Sequence, residues 1–212
     1  MIKVFVGASI SDDLDAEEVL YYTLRKNSSE PLEIIPLKPI GNLAGFESGT
    51  ATPFTNLRWA IPELCNFEGK AIYMDSDIMN FHDIAELWNT DMDGKAILGT
   101  TSPVKRKTGP FEYSVALMDC YRMNQYVKPI EELKKTINLH QQMHRGLLGD
   151  TGLLDMRWNM MDSISFNQGD AWNIHFTIIP TQPWKVGCQT HPRPDLVQTW
   201  KTLLAEAKNS VH

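Results

Sequence analysis

The chain has 212 residues, of which 42% are hydrophobic and 22% are charged. These values are typical of a globular protein with a substantial buried core, and they exclude a largely disordered chain. The formal net charge of −6 argues against nucleic acid or an anionic membrane as a partner. The one obvious basic cluster is Lys105, Arg106 and Lys107.

The three cysteines, Cys65, Cys120 and Cys188, are far apart and form no CxxC pair. This spacing favours a reducing compartment over a disulfide framework or a structural zinc site. No segment approaches the roughly 18–20 apolar residues that span a bilayer, and no basic start precedes a long apolar stretch. We therefore expect a soluble, cytoplasmic protein without a transmembrane segment.

The beginning of the chain alternates between strands and a helix. The apolar runs Ile2–Gly7 and Leu32–Leu37 predict two strands. Between them, apolar residues at helical spacing predict a helix that ends near Asn27, with N-cap candidates at residues 11–13. A strand, a helix and a strand with short connections are typical of an α/β fold with parallel pairing.

The later segments continue this pattern. In the apolar segment 56–64, Pro62 should kink or divide any helix because it removes one internal hydrogen bond. The other predicted elements are strands at 71–74, 96–99 and 115–118, a helix from 129 to about 143, a strand at 173–179 and an amphipathic helix at 195–208. We expect one α/β domain over residues 1–212.

An Asp-x-Asp pair follows directly on the predicted strand at 71–74. The side chains of Asp75 and Asp77 lie on the same side of the chain because side-chain direction alternates along a strand. Ligands bind at the carboxyl ends of parallel strands. Two neighbouring carboxylates suit Mg²⁺ or Mn²⁺, which keep open positions for phosphate oxygens. The alternative is that the two residues simply end a strand and begin a loop.

Several segments together resemble one enzyme family. Residues 70–78 and 83–88 resemble the metal-binding segment of glycogenin-like (family 8 type) glycosyltransferases, which have a GT-A fold. His175, followed by Pro183 and Trp184, is similar to the family's C-terminal histidine and Pro-Trp motif. The other similar stretches are 4–37, 56–64 and 157–159.

The resemblance implies an α/β fold that is a single, Rossmann-like GT-A domain, with a mixed, mostly parallel central sheet and helices on both faces. It implies metal ligation by Asp75, Asp77 and His175, with Asp75, Asp77 and Arg58 as the catalytic group. An imidazole ligand favours Mn²⁺, although Mg²⁺ remains possible. The residues implied in nucleotide-sugar binding are Gly7, Ala8, Ser9, Arg58, Ser76 and Lys185.

The implied reaction is transfer of a hexose from a UDP-sugar, UDP-glucose or UDP-galactose, to a glycan or another hydroxyl acceptor, with retention. Two family features differ in this chain. Gln182 stands where the family has a lysine before Pro-Trp, and the acceptor-side Asp-Gln pair is not found. We therefore expect a smaller acceptor-binding region than the family usually has.

Two other functions remain open. Asp-x-Asp after a strand also occurs in haloacid-dehalogenase-type phosphatases, where Asp75 would be the nucleophile. A non-catalytic module that binds nucleotide-sugars is the second alternative. For Arg58, the alternative to ligand binding is a buried salt bridge to Glu63 or Asp75. The remaining histidines without a partner motif are expected in surface or loop positions: His82, His140, His144 and His191.

Overall fold

The structure is a computed structural model that describes residues 1–46, 52, 54–103 and 109–210. The basic cluster predicted at Lys105, Arg106 and Lys107 lies outside these residues. None of the described helices is long and apolar enough to cross a membrane.

Nine strands lie within the described part of the chain. They are β1 (Ile2–Gly7), β2 (Leu32–Leu37), β3 (Lys70–Asp75), β4 (Ile78–Asn80), β5 (Ile97–Thr101), β6 (Phe111–Asp119), β7 (Thr151–Leu153), β8 (Met160–Met161) and β9 (Asn173–His175). Six of them form the central sheet in the order β2-β1-β3-β6-β5-β7, and β4-β9-β8 form a small second sheet.

The strand directions bring the ends of β1 and β3 to one edge of the central sheet. β1 is parallel to both β2 and β3, and Gly7 is the register partner of Asp75. β6 is antiparallel to β3 and β5, whereas β7 is parallel to β5. The carboxyl ends of β1, β2 and β3 therefore meet where ligands bind in α/β folds.

Seven α-helices surround the sheet in the described part of the chain. They are α1 (Leu14–Asn27), α2 (Ile61–Leu64), α3 (Ile84–Trp88), α4 (Cys120–Met123), α5 (Ile130–Leu133), α6 (Leu139–Gly146) and α7 (Pro194–Ser210). α1 and α3 join one apolar core with alternate residues of β1 and β3, such as Val4 and Ile72. The other alternating set, with Phe5 and Tyr73, packs against α2, α4, α5 and α6. The predicted mixed, mostly parallel sheet with helices on both faces is confirmed.

The helix predicted from residue 129 to about 143 is wrong in one respect. The segment forms two helices, α5 and α6, because Asn138 has the left-handed φ of 54° and interrupts the helical path. An asparagine tolerates this conformation better than most residues.

The strand predicted at 173–179 is shorter than expected. Regular pairing ends at His175, and Ile179–Thr181 forms a 3₁₀ helix. Pro180 lies in that turn and has no N–H to donate to a strand ladder.

The segment 56–64 is divided, as predicted. A 3₁₀ helix over Leu57–Ala60 is followed by α2, and Pro62 lies in the first turn of α2. A proline is well tolerated there because N–H groups of the first turn have no partner within the helix. The division holds Arg58 in the 3₁₀ turn, beside the end of β3.

Candidate functional site

Three residues predicted as metal ligands lie together at the carboxyl end of β3. Asp75 is the last residue of β3, and Asp77 lies in the turn before β4. β9 pairs with β4 in a register that places His175 opposite Ile78. One ligand atom from each of Asp75, Asp77 and His175 lies within 4.8 Å of the others. The small second sheet thus brings His175 to a strand end 100 residues earlier in the chain.

Asp75 is fixed by two donors on one oxygen. The Tyr73 hydroxyl donates to its Oδ1 over 2.5 Å, and Arg58 Nη2 donates to the same atom over 3.0 Å. Asp75 is 8% exposed. Since both bonds use Oδ1, Oδ2 is the oxygen that the described residues leave for a ligand.

Arg58 is buried and held in one orientation. Its Nε donates to the Thr55 carbonyl over 2.9 Å, and its Nη1 donates to the Tyr113 carbonyl. The guanidinium carbon lies 4.4 Å from the ring centroid of Tyr73. Burial alone would lower the pKa of Arg58, but the nearby carboxylates, Asp75 first, outweigh it and raise the pKa.

The buried salt bridge considered for Arg58 is therefore present, and its partner is Asp75 rather than Glu63. Glu63 instead accepts a hydrogen bond from the Ile130 backbone N–H over 2.6 Å. The ion pair does not use up the guanidinium, because two of its five N–H groups have no partner among the described residues. Arg58 can thus hold Asp75 and contact an anion at the same time.

His175 is oriented by a chain of polar side chains. Its Nδ1 lies 2.9 Å from Asn159 Oδ1, and Asn159 Nδ2 donates to Thr100 Oγ1 over 3.2 Å. An amide oxygen only accepts, so Nδ1 carries a proton and Nε2 faces Asp77 Oδ1 at 3.0 Å. Burial lowers the pKa of His175, but Asp77 outweighs it and raises the pKa to about 9. The sequence alone gave no role to Asn159, although its Trp158-Asn159 pair belongs to a stretch similar to the family.

Asp77 has a second partner that sequence reasoning missed. Gln182 Nε2 donates to Asp77 Oδ2 over 3.1 Å and to the Phe176 carbonyl over 2.7 Å. Burial raises the pKa of Asp77, against the opposing effect of His175. The residue at the position of the family's lysine therefore contacts a predicted metal ligand.

The residues predicted to contact the nucleoside lie at the end of β1, beside the two aspartates. The Gly7 carbonyl accepts from the Ser76 N–H over 3.0 Å. The Ala8 N–H donates to the Leu37 carbonyl over 3.1 Å, and Ser9 Oγ accepts from the Asp12 N–H over 3.0 Å. These bonds hold the end of β1 against Ser76 on one side and Leu37 on the other, and α1 begins at Leu14.

The other two predicted donor residues differ in their placement. Ser76 is 1% exposed, and its hydroxyl has no hydrogen-bond partner within the described ranges. Lys185 is half-buried, and its backbone N–H donates to the Gln182 carbonyl over 3.2 Å. In the part of the chain that the structure covers, no hydrogen bond or ion pair joins the Lys185 side chain to the carboxylates.

Two of the histidines expected in surface or loop positions are buried. His144 packs edge-on against Trp59 with ring centroids 6.1 Å apart. His191 Nε2 lies 3.0 Å from Asp162 Oδ2. The prediction was wrong for His144, which lies in α6 among aromatic rings. His191 lies in a loop, as expected, but is buried against the Asp162 carboxylate.

Comparison with known sequences identifies the segment that contains the two aspartates. Residues 46–146 match the profile of the family described as Glycosyl transferase family 8. Over these residues, the chain is similar to glycosyl transferase family 8. A curated relative, Protein CDI of Arabidopsis thaliana, is 34% identical over 103 residues, which are 45% of this chain and 39% of that protein. The chain thus matches well under half of that relative's length.

The fold is that of solved GT-A glycosyltransferases. The galactosyltransferase LgtC, in complex with donor and acceptor sugar analogs, superposes with a TM-score of 0.68 at 14% identity, over 97% of this chain and 96% of that one. The apo-form glycosyltransferase GlyE of Streptococcus pneumoniae TIGR4 gives a TM-score of 0.69 at 14% identity, over 99% and 63%. The predicted family resemblance and the GT-A fold are confirmed.

Proposed function

We propose that the protein transfers a hexose from a UDP-sugar to a hydroxyl acceptor, with a divalent cation held by Asp75, Asp77 and His175. The observation that carries this proposal is the cluster itself. Its ligand atoms lie within 4.8 Å of one another, at the strand ends where GT-A folds and other α/β proteins bind ligands.

The side chains present fit a cation of this kind. Asp75 Oδ2 lacks a partner among the described residues. Asp77 Oδ1 is buried without a hydrogen-bond partner among them and lies 3.0 Å from His175 Nε2. Two carboxylates and one imidazole favour Mn²⁺ over Mg²⁺ because imidazole is the softer ligand. When bound, the cation would neutralise the charge that grows on the diphosphate as it leaves.

The neighbouring residues suit the rest of a nucleotide-sugar. The end of β1, Gly7 to Ser9, lies beside the cluster and suits the uridine. The Ser76 hydroxyl, which has no hydrogen-bond partner among the described residues, lies next to it. Arg58 is fixed by three hydrogen bonds and carries a full positive charge toward the donor phosphate or sugar. Lys185 is the further candidate for the diphosphate.

The finer points of the reaction rest on the family resemblance. It favours UDP-glucose or UDP-galactose as donor, a glycan or other hydroxyl compound as acceptor, and retention at the anomeric carbon. The solved complex of LgtC contains donor and acceptor sugar analogs, which supports a sugar donor for this chain as well.

A phosphatase that uses Asp75 as nucleophile is disfavoured by the contacts of that residue. Asp75 Oδ1 already accepts hydrogen bonds from Tyr73 and Arg58. The positive charge of Arg58 stabilises the Asp75 carboxylate and so makes that carboxylate a weaker nucleophile. The family match and the fold point in the same direction.

The experiment measures UDP release from individual UDP-sugars in the presence of Mn²⁺, with and without candidate acceptors. We expect release from at least one sugar, and a loss on the order of 100-fold or more in Asp77→Ala, because a ligand of the charge-stabilising cation is removed. Asp195→Ala is the matched control, since this exposed carboxylate pairs with Arg193 away from the cluster.

Two outcomes would contradict the proposal. Release of phosphate from phosphomonoesters, with no release of UDP from any UDP-sugar, would indicate a phosphatase. Binding of UDP without turnover with any acceptor would indicate a non-catalytic binding module.

A further inference from the structure

The segment that follows His175 returns to the metal-binding cluster. We call residues 176–193 the donor loop. It begins with the Phe176 N–H donating to the Asp77 carbonyl over 3.0 Å. Its middle carries Gln182, which donates to Asp77 Oδ2, and Trp184, whose Nε1 donates to Asp13 Oδ1 over 3.0 Å. The donor loop therefore spans from the aspartates to the entry of α1, beside the end of β1.

Both ends of the donor loop are attached to one buried carboxylate. Asp162 Oδ1 accepts from the Thr177 backbone N–H over 2.8 Å and from the Thr177 hydroxyl over 2.6 Å. Its Oδ2 lies 3.0 Å from His191 Nε2, at the far end of the loop. The Asp162 side chain is fully buried, and its backbone N–H donates to the His175 carbonyl over 2.9 Å. The same residue thus anchors His175 and closes the loop that follows it.

The hydrogen bonds of His191 define which nitrogen carries the proton. Nε2 donates to Asp162 because a carboxylate oxygen only accepts. Nδ1 accepts from the Arg193 backbone N–H over 2.9 Å, its shorter contact, and lies 3.2 Å from the Arg193 carbonyl. The ring also packs edge-on against Phe176 with centroids 5.4 Å apart. A donor to a buried carboxylate forms a strong, directional bond. Losing it would leave Asp162 Oδ2 with only the long, 3.4 Å hydrogen bond from the Ile178 backbone N–H, and this would be costly.

We propose that Asp162 and His191 are positioning residues that hold the donor loop, and with it Gln182 and His175, in the arrangement that binds the cation. The reason is geometric. His175, a predicted ligand, directly precedes the donor loop. Gln182, which orients the carboxylate of a second ligand, lies within the loop, and the two ends of the loop meet at Asp162. This inference rests on the proposed metal-dependent donor site.

Three substitutions test the pair at increasing severity. Thr177→Val removes the hydroxyl donor to Asp162. His191→Phe removes the imidazole donor while keeping an aromatic ring against Phe176. Asp162→Asn removes the charge. Glu131→Gln is the control because it breaks an exposed ion pair with Lys134, outside the donor loop.

Two measurements separate positioning from mere stabilisation. Calorimetry gives the affinity for UDP in the presence of Mn²⁺, and amide hydrogen exchange reports on Thr177 and Gln182 without metal. We expect at least a roughly tenfold weaker affinity in His191→Phe and Asp162→Asn, as for other residues that orient metal ligands, with a smaller loss in Thr177→Val. Amide exchange at positions 177 and 182 should accelerate in these variants, while Glu131→Gln should behave as the wild type.

The inference is overturned if the folded variants bind UDP and Mn²⁺ with wild-type affinity, even when urea denaturation shows lower stability. Unchanged exchange in the donor loop of all three variants would overturn the anchoring itself. A wild-type protein that binds no UDP with Mn²⁺ would instead refute the proposed function.

Discussion

At the scale of single residues, Tyr73 links the first strand to the carboxylate pair. Its hydroxyl donates to Asp75 Oδ1, and its ring lies under the Arg58 guanidinium. The same hydroxyl approaches β1 so closely that a Cβ added at Gly7 would lie 2.2 Å from it. Gly7 is thus required by the packing of Tyr73, independently of any nucleotide that binds there.

This packing predicts the effect of Gly7→Ala. The added methyl group should cost about 1–3 kcal/mol in the free energy of unfolding, as for other overpacked cores. The cost should fall in a Tyr73→Phe background, where the nearest atom of residue 73 is then a ring carbon at 3.0 Å. Urea denaturation of the two single variants and the double variant gives the coupling between the sites.

The control is Gly149→Ala, because a Cβ there meets no atom within 4 Å. We expect little change in its free energy of unfolding. If Gly7→Ala cost the same in both backgrounds, the contact between Gly7 and the Tyr73 hydroxyl would not be the cause.

The sequence predicted part of the site at this scale. Asp75 and Asp77 stand out because an apolar run precedes them, and His175 stood out only through the family resemblance. The contacts of Gln182 and Asn159 could not be predicted, since Gln182 meets Asp77 across 105 residues and Asn159 meets His175 across 16. Such pairs follow from tertiary packing rather than from local pattern.

At the scale of elements, strands with long apolar runs were predictable and short ones were not. β1 and β2 begin and end where the sequence pattern places them. β4, β7 and β8 have only two or three residues, too few to show alternation. β4 is nevertheless the strand that brings His175 to the aspartates.

The break between α5 and α6 depends on Asn138. Asn138 has a left-handed backbone conformation, which is energetically unfavourable for residues with a Cβ other than Asn and Asp. We expect Asn138→Ala to be less stable than Asn138→Gly by about 1 kcal/mol in urea denaturation.

Asn124 provides the matched control, since it has the right-handed conformation with φ −57° at the end of α4. At position 124 we expect the Ala variant to be at least as stable as the Gly variant, the reverse of the order expected at position 138. Equal stability of Ala and Gly at position 138 would show that its backbone conformation does not set the helix break.

At the scale of the whole molecule, the fold collects residues from distant parts of the chain at one sheet edge. Parallel pairing of β1 with β3 brings Gly7 beside Asp75, and the 3₁₀ turn before α2 brings Arg58 to the same carboxylate. β9 adds His175 from the last quarter of the chain. The order of the longer strands and helices could be predicted from the sequence. The path of the donor loop could not, because it depends on the hydrogen bonds of the buried Asp162.

The charges at this edge are balanced in pairs. Arg58 faces Asp75, and His175 faces Asp77 at 3.0 Å. A cation would take the place of the proton on His175 Nε2, since a metal ligand must be deprotonated. The account therefore predicts that His175 couples cation binding to nucleotide binding.

The most direct test of the central claim is a calorimetric titration of UDP into the protein with and without Mn²⁺, in the wild type, His175→Ala and His82→Ala. His82 is the control because it pairs with Glu86 and stacks on Trp172 outside the cluster. The account predicts Mn²⁺-dependent UDP binding that is retained in His82→Ala and weakened at least tenfold in His175→Ala. UDP binding that is independent of Mn²⁺, or equally strong in His175→Ala, would contradict it.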